Sequence, residues 1–201
     1  ATFNRITIDG DQSTSDMVLV FSSGKKPKAA SGEFARALSD VCGNLAEDIV
    51  RNGEGIHHVI KITVTGAPEE GPAAAIARRI ANSPLVKTAV FGNDPNVGRI
   101  IMALGDQLGK DRIPFDREKI KISFGNETVF KNGSFVIDRD LEKRLSGYME
   151  DCYIDPGKDR FPRHEKTVDI GINLGKGNAE ASVTGSDLSY DYVKENADYR
   201  T

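Results

Sequence analysis

Apolar positions recur at three- and four-residue spacing in residues 31–52, where Phe34, Leu38, Val41, Leu45 and Ile49 form one stripe. That spacing predicts a long amphipathic helix with the stripe buried. Ser31 is placed to cap its start, and Gly53 stands where a terminating glycine belongs. Alternation of period two predicts a strand over 59–65, through Ile60, Ile62 and Val64, and another over 119–124. Residues 3–9 and 17–21 read as strands around the polar loop Asp9 to Asp16. Pro72 opens a second helix that ends before Pro84, and 86–91 reads as a strand. Asp94-Pro95 signals a helix carrying Ile100, Ile101 and Leu104. Short strands joined by turns at Asn126-Glu127 and Asn132-Gly133 follow, and Asp138 caps a helix that runs to about Tyr148. Residues 155–164 read as a loop. Residues 168–174 and 179–184 read as a hairpin across Gly175-Lys176-Gly177-Asn178, and a terminal helix closes the chain.

Helices alternate with strands first, and strands cluster later. The pattern predicts an α+β protein with layered helices and mixed sheets. It divides into an α/β subdomain over 1–110, a strand-rich subdomain over 111–186, and a terminal helix and tail over 187–201. The 201 residues suffice for a substantial core, and 38% hydrophobic with 28% charged content is ordinary for a globular cytosolic protein. A net charge of −3 without a dense basic run argues against nucleic acid as a partner. No apolar run reaches membrane-spanning length, and no signal-peptide pattern opens the chain. Its start at Ala1-Thr2-Phe3, without methionine, suggests a processed or cut product. Cys42 and Cys152 are expected to be reduced.

Several segments carry candidate chemistry beside a plainer reading. Asp9 to Asp16 is rich in oxygen ligands but lacks the closing glutamate of a calcium loop, so turn chemistry explains it better. Gly92 to Arg99 places a glycine-bounded loop before a helix, which suits an anion or a simple cap. Gly175-x-Gly177 is too short for a dinucleotide fingerprint. Glu54 lies between Gly53 and Gly55 at a helix end. Its backbone can approach a ligand closely and its carboxylate suits an amine, although a solvated turn glutamate has the same signature. His57-His58 are adjacent in an extended stretch, so their rings are expected on opposite sides, and His164 is remote; no metal site is expected. The terminal Asp187–Thr201 segment, with Tyr190, Tyr192, Val193 and Tyr199, is expected to bury a face. A terminus anchored in that way can fix the amide of Asn196 and the hydroxyl of Thr201, or it can simply be a docked structural helix.

Five stretches, in order, resemble the β-chain of the ornithine acetyltransferase (glutamate N-acetyltransferase) family of arginine biosynthesis. They are Phe3 to Asp11, Gly53-Glu54-Gly55, Leu85 to Gly92, Asp94-Pro95-Asn96-x-Gly98-Arg99, and Asp187 to Thr201. The resemblance implies a precursor that cuts itself before a threonine. The new N-terminal threonine takes acetyl from N-acetylornithine and passes it to glutamate, and some members also use acetyl-CoA as a substrate; no cofactor is implied. It carries substrate binding over to Glu54, Asn196 and Thr201. It implies an α-chain partner, αβ units in a larger oligomer, and a cytoplasmic location. The nucleophile lies about a helix's length before the Phe-Asn-Arg stretch in that family. Thr2 is therefore not the nucleophile, no catalytic residue is expected in this segment, and the chain is expected to be a β-chain without its first part. Ile56-His57-His58 stands where Ala-Thr-Lys is more usual, Val97 replaces a usual Trp, and 110–163 matches weakly. Two rival readings are a related N-terminal-nucleophile amidase or aminopeptidase, and a non-enzymatic interaction subunit.

Overall fold

The computed structural model describes residues 2–26, 30–155 and 165–199. Seven strands form one mixed sheet in the order β1-β7-β2-β6-β3-β4-β5. These are β1 (Ile6–Thr7), β2 (Val59–Ala67), β3 (Lys121–Phe124), β4 (Glu127–Lys131), β5 (Ser134–Phe135), β6 (Val168–Asn173) and β7 (Ala179–Ser186). Six α-helices accompany them among the described residues: α1 (Ser31–Arg51), α2 (Glu70–Ala81), α3 (Pro84–Phe91), α4 (Val97–Lys110), α5 (Arg139–Asp151) and α6 (Tyr190–Asp198).

The core follows from register. Ile62 of β2 lies opposite Ile170 of parallel β6 and Val183 of antiparallel β7, and Val64 lies opposite Ile172 and Ala181. Ile122 of β3 extends the same row against Ile172. Strand side chains alternate between faces, so these residues share one face. They are buried with Ile76 and Ile80 of α2, Ile100 and Leu104 of α4, and Leu141, Leu145 and Met149 of α5. The opposite face presents Lys61, Thr63 and Ser182, which are half-buried, with the Thr63 and Ser182 hydroxyls 2.9 Å apart.

The α+β expectation holds, and several local expectations do not, among them the Ser31 cap, since Ala30 holds that position and no side chain caps α1. Residues 86–91 are helical: Pro84 starts α3 rather than only ending α2, and a short apolar run does not by itself distinguish strand from helix. β6 and β7 are not a hairpin, because β2 lies between them and their connection arches over its end; Leu174 N–H bonds Thr65 O and Lys176 N–H bonds Gly66 O. Residues 17–21 form no strand, and Met17 to Phe21 are exposed. On α1 it is Ala46 and Val50 that pack inward, one position round from the expected stripe; Phe34, Val41, Leu45 and Ile49 face outward at about half exposure. In α6, finally, no residue is buried, with Tyr190 82% and Tyr199 77% exposed. Strands from both sides of residue 110 share the single sheet: β2 comes from the first segment, and its neighbours β6 and β7 from the second.

Candidate functional site

Three pieces of chain meet at the end of the sheet: the loop 52–58 leading into β2, the end of β7 with residues 187–189, and the first turns of α6. Gly55 has φ +60°, a backbone shape that only glycine adopts without strain. A Cβ there would lie 2.2 Å from the backbone nitrogen of Tyr192 and 2.5 Å from the carbonyl carbon of Asp191. The α6 backbone therefore rests directly on the loop. Ser189 completes the contact. Its hydroxyl accepts from the Tyr192 amide at 2.9 Å as the α6 cap, and donates to the Gly55 carbonyl.

Beneath this contact lie buried charges. Asp187 is 2% exposed and His58 fully buried. One Asp187 oxygen accepts the His57 backbone amide at 3.0 Å, and the other meets His58 Nδ1 at 2.8 Å. His58 Nε2 is 3.2 Å from the Met149 carbonyl. The second ring lies nearer the surface, with His57 Nε2 2.8 Å from Asp191 of α6. Both rings pack on Tyr153, at 4.9 Å stacked and 5.6 Å edge-on, so the opposite-sides expectation fails: the pair precedes β2 and stands outside its pleat. Lys87 of α3 is 3% exposed, and its ammonium donates to the carbonyls of Ile8 and Ser186 and, at 3.3 Å, to the Ser186 hydroxyl. Burial lowers its pKa to about 8, against the opposing pull of Asp187 and Asp9. Burial would raise the Asp9 carboxyl, but hydrogen bonds from the Asp11 amide and the Tyr192 hydroxyl, together with Lys87, hold it below its ordinary value. Tyr192 donates to Asp9 at 2.9 Å, and burial with that carboxylate pushes its hydroxyl up to about 12.

On the rim of this assembly stand two of the expected site residues. The Asn196 amide donates to Glu54 Oε2 at 3.4 Å and to the Tyr192 carbonyl at 3.0 Å. Residues 142 apart in sequence thus share one exposed shelf, with the rest of the Glu54 carboxylate open to solvent. Thr201 and His164 lie outside the described residues. Three surface clefts of about 470–500 Å³ lie elsewhere, and neither Glu54 nor Asn196 lines them. The other motifs resolve into local structure. Asn96 caps α4 by accepting the Arg99 amide at 3.2 Å, and Asp9 closes a turn on the Asp11 amide at 2.9 Å. No group of three His, Cys, Asp or Glu side chains able to hold a metal occurs among the described residues. Asp187, Asp191, Tyr153 and Lys87 were not singled out from the sequence. The adjacent histidines and the two carboxylates four residues apart were the available signals.

The whole chain, residues 1–201, matches the ArgJ family. The chain belongs to that family. It is 41% identical to the arginine biosynthesis bifunctional protein ArgJ of Desulfotalea psychrophila, over all of this chain and 48% of that protein. It is 39% identical to the glutamate N-acetyltransferase of Methanopyrus kandleri, over all of this chain and 49% of that protein. The chain spans about half the length of these curated relatives. A crystal structure of ArgJ from Bacillus halodurans, 36% identical, matches with a TM-score of 0.81 over 98% of this chain and 87% of that chain. The ArgJ match thus extends across the whole seam, and no described helix is long and apolar enough to cross a membrane.

Two outcomes follow from the seam. Gly55→Ala combines a left-handed backbone with a collision against the α6 backbone, so α6 should detach and stability should fall by at least about 1–2 kcal/mol. Amide exchange over 190–198 together with a denaturant melt measures both, and unchanged protection would contradict the contact. The lowered Lys87 pKa means that the unfolded chain binds more protons between pH about 8 and 10.5. Relative to Lys87→Met, the wild-type chain should therefore gain stability as pH rises through that window, by up to roughly 3 kcal/mol, with the burial cost fully present below it. Parallel pH profiles of the two proteins would refute this.

Proposed function

We propose that this chain supplies one wall of the amino-acid pocket of an N-acetyltransferase that moves acetyl from N-acetylornithine to glutamate. The observation that carries this reading is the meeting of Glu54 and Asn196 at 3.4 Å across the α6 seam. An exposed carboxylate suits the ammonium of an ornithine-like substrate, and a neighbouring amide suits the polar backbone groups of an amino acid. The names of the Desulfotalea and Methanopyrus relatives support the same chemistry. Thr201, outside the described residues, is the third proposed substrate-binding residue.

The chemistry proposed is covalent. A threonine hydroxyl attacks the acetyl carbonyl of N-acetylornithine, the C–N bond breaks, and the released amine takes up a proton. The amine of glutamate then attacks the threonine ester, freeing the hydroxyl and forming N-acetylglutamate. We place this nucleophile, with the oxyanion-stabilising groups, in the part of the longer relatives that this chain does not span. An α-chain from the same precursor is the proposed second wall, with αβ units in a larger cytoplasmic assembly. No cofactor is needed, and acetyl-CoA is an alternative acyl donor. The outward stripe Phe34, Val41, Leu45 and Ile49 supports a partner on α1, since apolar faces of this kind mark protein contacts.

In the full-length protein, Glu54→Gln should lower kcat/KM for acetyl transfer from N-acetylornithine about ten- to a hundredfold, the scale of about 1.5–3 kcal/mol for a hydrogen bond to a charged group. Its melting should stay near wild type, because Glu54 is exposed. Steady-state kinetics with a matched thermal melt tests this, and unaltered kcat/KM would remove Glu54 from the pocket.

A further inference from the structure

The His57–Asp191 contact has no place in the chemistry above, yet it ties together the two elements that carry the pocket residues. His57 lies three residues after Glu54, and Asp191 lies five residues before Asn196 in α6. The ring is held on every side. Nε2 is 2.8 Å from the Asp191 carboxylate, and Nδ1 is 3.3 Å from the Ile154 carbonyl. Tyr153 stacks on one face with the planes 5° apart, and Phe91 of α3 approaches at 5.8 Å. The His57 side chain is 7% exposed, against 59% for that of Asp191. Both oxygens facing the ring can only accept hydrogen bonds, so the two contacts are complete only when both ring nitrogens carry hydrogen. A ring with hydrogen on Nε2 alone keeps the contact to Asp191 and turns its Nδ1 lone pair toward the Ile154 carbonyl.

We propose that His57 and Asp191 form a positioning latch that holds α6 in register on the Glu54 loop and so sets the Glu54–Asn196 separation. This rests on the pocket reading for its kinetic consequence, but not for its structural one. Apolar packing does not hold α6 by itself, since no residue of α6 is buried. Its grip includes the Gly55 contact, the Ser189 cap, the Tyr192–Asp9 and Asn196–Glu54 hydrogen bonds, the edge contact of Tyr190 on Phe91, and this latch. Titratable groups near the ring include Asp191 from α6, Asp187 from the end of β7, Tyr153 after α5 and His58 beside it, and Lys166 donates to the Tyr153 carbonyl. Burial raises the Tyr153 hydroxyl, with Asp155, Asp191 and Asp187 adding to it, so Tyr153 stays neutral beneath the ring. Asp187 and His58 satisfy one another beneath, which leaves Asp191 as the carboxylate that the His57 ring alone engages.

The test uses the full-length protein and three variants: His57→Gln, Asp191→Ala and Asp191→Asn. Amide exchange of residues 190–198, expressed as protection factors, is read independently of activity. Asp191→Ala should lose about two- to fivefold of its protection, the scale of an exposed polar pair. Asp191→Asn offers both an acceptor and a donor, so it should keep most of the protection. His57→Gln gives up the ring stacked on Tyr153 and should lose protection as Asp191→Ala does. For N-acetylornithine, KM should rise about fivefold in Asp191→Ala with kcat little changed, and Asp191→Asn should restore it. If Asp191→Asn is as unprotected as Asp191→Ala, the carboxylate acts through charge at the helix start and the latch is overturned. Wild-type protection in all three variants overturns it too. A wild-type protein that transfers no acetyl group ends the pocket reading, while the exchange measurements still decide the latch.

Discussion

At Gly55 the α6 backbone comes so near the loop before β2 that no side chain fits between them. The candidate site depends on that approach. It brings the first turn of α6 onto residues 54–58, where Ser189 reaches the Gly55 carbonyl and Asp191 reaches His57. It also sets Asn196 against Glu54. The contact has a foundation: Asp187, fully enclosed, accepts from the His57 amide and pairs with His58, while Lys87 ties Ile8 to Ser186 just behind it. Buried charges of this sort cost desolvation and are tolerated only when each polar atom has a partner. Here they fix the direction in which the chain leaves β7, and so where α6 begins.

Legibility in the sequence divided along physical lines. Strands such as β2 alternate strictly because one face is buried, and Ile60, Ile62 and Val64 revealed it. α5 was readable from the Asp138 cap, whose side chain accepts the Leu141 amide. Short apolar runs were not readable: Val86 and Val90 are four apart in a helix as easily as they alternate in a strand. The β6–β7 hairpin failed because the insertion of β2 between them is a long-range event with no local signature. The stripe on α1 was a true helical stripe turned the wrong way, since periodicity fixes that a face exists but not what covers it.

The site was legible in a different manner. Glu54 was singled out by its flanking glycines and Asn196 by the terminal segment, family-like stretches carried substrate binding over to both, and the fold brings them together across 142 residues. The supporting shell was invisible because it is built from common residue types. A histidine pair reads as two solvated rings until Asp187, Asp191 and Tyr153 are seen around it. The exposed run Met17 to Phe21 and the outward face of α1 fit a chain that spans about half the length of its ArgJ relatives. Exposed apolar surfaces of this kind mark protein contacts.

The central claim is that the shelf formed by Glu54 and Asn196 receives the substrate amino acid. A crystal structure of the full-length protein soaked with ornithine tests it most directly. The account predicts an ornithine ammonium within about 3 Å of the Glu54 carboxylate, the Asn196 amide on the same molecule, and α6 seated on Gly55. Ornithine bound at a distance from both side chains, with Glu54 still facing solvent, would contradict it.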